Sequence, residues 1–164
     1  MKYENMLIDD LREKLDNKEI TSQELFINAT KKACDYQDKY NAFITILDKM
    51  ENIESNSILS GIPYALKDNI STKGILTTAS SNILKDYVPI YDATIYKKLK
   101  EAGAVLIGKT VMDELAMGGT GTTGHTGIVR NPWNYKRMIG GSSAGSAAAV
   151  ALGIVPFAIG SDTG

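Results

Sequence analysis

Seven residues of only three types, Gly140-Gly141-Ser142-Ser143-Ala144-Gly145-Ser146, limit the local backbone more than any other stretch of this chain. Glycines and hydroxyls cannot sustain a helix, but they can open one, and the Ala-rich run from Ser146 to Leu152 that follows reads as that helix. Gly153 interrupts it, and Ile154-Val155-Pro156-Phe157-Ala158-Ile159 returns as a strand. A helix leading directly into a strand is a unit of an α/β protein. The spacing from Gly140 to Gly145 imitates a phosphate loop, yet no lysine follows to reach the β and γ phosphates, which argues against an ATP site. What remains is a helix N-terminus with N–H donors and two hydroxyls, a place where negative charge is stabilised.

The rest of the chain alternates in the same way. Leu7, Ile8, Leu11 and Leu15 recur at helical spacing, Thr21-Ser22-Gln23-Glu24 has the form of a capping box, and a second apolar stripe runs through Leu25, Ala29, Ala33, Tyr36 and Tyr40. Ala42 to Leu47 is short, β-branched and aromatic, which predicts a buried strand. The polar run Asp48 to Ser57 predicts a surface helix or loop. Gly61 to Asp68 reads as a second strand with Pro63 at its entry. Asp92 is placed to cap a helix carrying Ile95, Leu99 and Ala102, Gly103 to end it in the left-handed conformation, and Ala104 to Gly108 to form a buried strand.

Composition excludes several classes of function. The 164 residues are 43% hydrophobic and 23% charged with a formal net charge of -1, so neither disorder nor a nucleic-acid or membrane surface is called for. One cysteine, Cys34, and one histidine, His125, cannot make a disulfide or a structural zinc site, and a reducing, cytoplasmic setting is expected. No apolar run has the length of a signal peptide or a membrane span. Gly119-Thr120-Gly121-Thr122-Thr123-Gly124 carries the letters of a dinucleotide fingerprint, but the stretch before it, Val111 to Met117, is helix-like rather than strand-like. A flexible glycine loop is the simpler reading.

Lys67 ends an otherwise apolar strand, Ile62-Pro63-Tyr64-Ala65-Leu66. A lysine there is usually solvated; buried, its pKa would fall and it could serve as a base. The segment Gly140 to Gly164 decides between these, because it resembles the amidase signature almost position for position, and Ala65-Leu66-Lys67-Asp68-Asn69 resembles the lysine motif of that family. The resemblance implies an α/β fold in which N-terminal helices precede part of a mixed β-sheet flanked by helices. Residues 1–164 are then the N-terminal portion of a single amidase domain, with 1–60 a helical lead-in and first strand and 61–164 the core segment carrying the lysine and the paired serines.

The resemblance also implies a Ser-Ser-Lys triad with Lys67 as base and Ser142 as bridging serine beside a non-proline cis peptide bond. Met117 would line the substrate pocket, and backbone N–H groups of Thr163 and Gly164 would contribute to an oxyanion hole. The family nucleophile closes a Ser-Asp-Thr-Gly-Gly-Ser pattern of which this chain holds Ser161-Asp162-Thr163-Gly164, so the chain alone is expected to be inactive. Thr77 to Leu84, Met112 to Gly118 and Arg130 to Asn134 are most similar to the branch formed by the A subunits of glutamyl-tRNA(Gln) amidotransferases. That branch implies glutamine as substrate, the B and C subunits of the amidotransferase as partners, and tRNA only through the complex. It implies no cofactor in this chain, ATP and magnesium being used by the B subunit. A stand-alone amidase of another small amide, or a non-catalytic remnant, remains an alternative.

Overall fold

A computed structural model describes residues 5–53 and 55–162. Two helices, α1 (Ile8–Asp16) and α2 (Ser22–Tyr40), lead into strand β1 (Phe43–Ile46), and β2 (Pro63–Lys67), α3 (Thr94–Glu101), β3 (Val105–Thr110), α4 (Ala144–Ala151) and β4 (Phe157–Ile159) follow. The capping box forms as expected: the Thr21 hydroxyl accepts the Glu24 N–H at 3.2 Å, and the Glu24 carboxylate accepts the Thr21 N–H at 2.8 Å. Gly103 leaves α3 with φ +74°. The expected cap by Asp92 does not form. Ala93 occupies the cap position, and Asp92 instead accepts the Lys73 N–H at 2.6 Å, tying the entrance of α3 to the loop after β2.

The four strands pair in the order β1-β3-β2-β4, with β1 antiparallel to β3, and β2 parallel to both β3 and β4. Every residue of β2 and β3 is buried, as parallel strands covered on both faces require. β1 lies at one edge, so of its residues only Phe43 is fully buried, and the expectation of a buried strand there is corrected. On one face Phe26, Ala29 and Ala33 of α2 and Ala144, Ala148 and Ala149 of α4 pack over Ala65, Val105 and Ile107. On the other, Tyr96 and Leu99 of α3 pack over Tyr64, Leu66 and Leu106.

The register between the two central strands slips once. Tyr64 pairs with Leu106, but Ala65 pairs with Gly108, so β3 carries one extra residue, Ile107. Because side chains alternate with a period of two, that bulge reverses the faces of everything after it on β3. Lys109 therefore pairs beside Leu66, while Thr110 pairs beside Lys67 and reaches Ser146 of α4.

One further expectation changes. Val111 to Met117 is not a helix: Val111 and Met112 are buried, and Glu114–Ala116 is one tight turn in which Leu115 and Ala116 take φ values of 53° and 61°. The Leu115 N–H goes to Ala79 O instead of back into a helix. Of the surface helix or loop expected from Asp48 to Ser57, the described residues form the loop. Cys34 lies on α2 but faces outward. Among the described residues no helix is long and apolar enough to cross a membrane.

Candidate active site

Lys67 sits at the C-terminal end of β2 with no solvent exposure. Its Nζ donates to Ser142 Oγ at 2.6 Å and to the Ser161 carbonyl at 3.1 Å. Burial pushes its pKa below the ordinary lysine value, against the opposing pull of the Asp162 and Asp113 carboxylates. Ser142 lies two positions before the start of α4, and the Gly141–Ser142 peptide bond is cis. The strand and the helix thus deliver an amine and a hydroxyl to one point from positions 75 residues apart.

The other hydroxyls of the glycine-serine segment hold the chain that passes in front of this pair. Ser143, at the cap position of α4, makes no cap bond of its own; its Oγ accepts the Ser161 N–H and donates to the Ser161 carbonyl, both at 3.2 Å. Ser146 donates to Ile159 O at 3.0 Å, and Asn69 donates to Ser161 Oγ at 2.9 Å. The start of α4 is used for packing as much as for display, since the Gly145 N–H is taken by Val111 O at 2.8 Å. The expected anion-ready helix terminus is accordingly already partly committed.

A cavity of about 260 Å³ opens beside the pair, lined by Ala116, Met117, Gly118, Gly141, Ser142, Ser161 and Asp162. Met117 stands on its rim and is largely exposed. Thr163 and Gly164, the expected oxyanion donors, lie outside the described residues. Behind the cavity Asp113 is wholly buried, and its carboxylate accepts four consecutive backbone N–H groups: Thr120 at 3.1 Å, Gly121 at 3.0 Å, Thr122 at 3.0 Å and Thr123 at 3.3 Å. The Thr123 hydroxyl adds a fifth bond at 3.0 Å. The loop whose letters imitate a dinucleotide fingerprint does cradle an anion, but the anion is this side chain.

A buried lysine, a serine hydrogen-bonded to it beside a cis peptide bond, and a glycine-lined cavity form one arrangement, and comparison with known proteins gives the family of the chain that carries it. The family model described as Amidase matches residues 23–164. The chain belongs to the amidase family. It is 49% identical over 170 residues to the A subunit of the Oenococcus oeni glutamyl-tRNA(Gln) amidotransferase, covering 98% of this amidase chain and 35% of that protein. The crystal structure of the corresponding A subunit from Thermotoga maritima superposes with a TM-score of 0.83 at 39% identity, over 92% of this chain and 32% of that one. The peptide amidase of Stenotrophomonas maltophilia gives a TM-score of 0.86 at 28% identity, over 95% and 36%. The chain thus spans about a third of the length of these relatives.

Sequence reasoning passes over a second buried lysine in this amidase. Lys109 Nζ donates to Ile70 O and to Thr77 Oγ1, both at 2.8 Å, and faces Asp68 Oδ1 at 3.7 Å, all three side chains being buried. Burial lowers its pKa to about 8, partly offset by Asp68. Asp68 is pushed up by burial, against hydrogen bonds from the Thr78 hydroxyl at 2.6 Å and the Thr78 N–H at 2.8 Å. The signal was available: Lys109 follows Val105-Leu106-Ile107-Gly108, a run as apolar as the one before Lys67. For Asp113 the signal is weaker, an acid lying shortly before a glycine-threonine loop with free N–H groups.

Proposed function

We propose that this amidase chain supplies the proton relay of an amide hydrolase, with Lys67 as base and Ser142 as the bridging hydroxyl. The observation that carries the reading is the 2.6 Å contact between Lys67 Nζ and Ser142 Oγ at a site where burial favours the neutral amine. With Lys67 neutral the contact runs in reverse. Ser142 O–H gives its proton to Nζ, and Ser142 O takes the proton of a third group, a serine supplied from outside residues 1–164 in this reading, as that serine attacks the amide carbonyl. Protons return along the same path to the leaving nitrogen, which departs as ammonia when the amide is glutamine, and water then releases the acyl group. N–H groups around Thr163 and Gly164 are assigned to the developing oxyanion.

The substrate assigned is glutamine, and the biological role is that of the glutamine-hydrolysing chain in a cytoplasmic tRNA-dependent amidotransferase. The ammonia passes to the B subunit, which uses ATP and magnesium to amidate glutamyl-tRNA, with the C subunit completing the assembly. Supporting this choice is the 49% identity to an amidotransferase relative over nearly the whole chain, against 28% to a peptide amidase of the same fold. Glutamine hydrolysis is measured in the chain extended to the relatives' full length. Lys67→Met and Ser142→Ala are each expected to lower kcat by about 10²–10⁴-fold. Wild-type rates in either variant would remove the relay, and a preference for peptide amides over glutamine would replace the substrate.

A further inference from the structure

Three parts of the site meet at one residue that the relay itself does not use. The Asp113 backbone N–H donates to the Ser142 carbonyl at 3.0 Å, fixing the peptide on the far side of the bridging serine. Its carboxylate gathers the N–H groups of residues 120–123 and so shapes the loop that runs on from Met117 and Gly118 at the cavity wall. Two glycines are there because the carboxylate is. A methyl group on Gly141 would collide with Asp113 Oδ2, and one on Gly118 would come within 2.7 Å of its Cβ and Cγ. Among the described residues no cation is paired with Asp113; backbone dipoles carry the compensation. Burial works to raise its pKa, and the bonds from Gly121, Thr123 and Thr120 more than reverse that, so the group is held ionised.

We infer that Asp113 is a positioning residue of this site, its backbone N–H holding the bridging serine while its buried carboxylate holds the loop of the cavity wall and packs on Gly141 beside that serine. The inference rests on the relay reading of Lys67 and Ser142. Two carboxylates bear on Lys67, Asp162 from the segment after β4 and Asp113 from the segment after β3, while α4's approach contributes the Ser142 hydroxyl. Both charges favour the ammonium form. Removing one leaves the amine easier to deprotonate, so the pH at which Lys67 becomes neutral falls.

The test uses the extended chain and the pH profile of glutamine hydrolysis, whose acidic limb in kcat/KM reports the free enzyme's base. Asp113→Asn keeps the size, removes the charge and turns an amide donor toward N–H groups. It is expected to lower kcat by about 10–100-fold through displacement of the cavity-wall loop and of the Gly141 peptide that leads into Ser142, and to move the acidic limb to lower pH. Asp113→Glu keeps the charge but displaces the loop; its limb is expected to stay where the wild type has it while kcat falls by at least about 10-fold. An Asn variant that is folded by circular dichroism with its limb unmoved overturns the assignment. Should the Asn variant not fold, the Glu variant decides, and a wild-type kcat there overturns it equally. Neither result touches the relay, which fails instead if Lys67→Met remains active.

Discussion

Two lysines occupy neighbouring parallel strands of this molecule, both wholly buried and both with pKa values pushed down by burial, and the hydroxyl that one of them meets lines a cavity. Lys67 meets a hydroxyl that borders open space; Lys109 meets a carboxylate, a carbonyl and a threonine in a sealed knot. The lowered pKa is therefore a poor guide to which lysine does chemistry. The proposed base needs a proton donor that can itself reach a substrate, and Ser142 is placed to be one. Lys109 holds the loop from Asp68 to Ser80 against β3, and that loop is the direct continuation of the strand ending in Lys67.

The sharpest way to break this comparison is Lys109→Met, which leaves Asp68 buried and without its cation. Stability in a denaturant titration is expected to fall by about 3–5 kcal/mol, and adding Asp68→Asn should restore part of it. Activity per folded molecule should survive, and a loss as large as that of Lys67→Met would make the two lysines equivalent. A smaller effect comes from pH. In the unfolded chain Lys109 titrates at about 10.4, in the fold at about 8, so between those values the unfolded state holds a proton that the native state lacks. Stability should therefore rise across that window, by on the order of 2–3 kcal/mol from this residue, and Lys109→Met should flatten the rise. The lowered pKa of Lys67 contributes with the same sign, and Lys67→Met should remove that share separately. Smallest of all, Thr21→Ala at the head of α2, remote from both lysines, should cost about 1 kcal/mol and leave activity unchanged; a change in kcat would show the lead-in helices acting on the site.

Much of the fold was legible because its signals are local. The Thr21 to Glu24 capping box, the Gly103 helix end and the strand through Pro63 to Lys67 each follow from residues within one turn or one strand of each other. The misreadings arise where a partner lies far along the chain. Asp92 looks like a helix cap, but the Lys73 N–H, 19 residues away, takes its carboxylate. Val111 to Met117 has helical spacing, but Asp113 turns toward the glycine loop and Leu115 bonds to Ala79. The apolar run in β1 predicts burial, and its place at the edge of the sheet denies it.

The residues themselves determined that Lys67 would end an apolar strand, that glycines and serines would open α4, and that the segment carries the amidase pattern, since these depend on residue type and order. The resemblance pointed to Lys67, but why Lys109 does not share its face was decided by the tertiary structure. Without the extra residue at Ile107, Lys109 would continue the alternation of Val105 and Ile107 and share the face that carries Lys67 and α4. With it, the parity of the strand reverses and Lys109 turns to the α3 side, against Ile70 and Thr77. A strand has a period of two, so a single unpaired residue exchanges its faces, and where that residue falls is set by pairing with a strand some forty positions away.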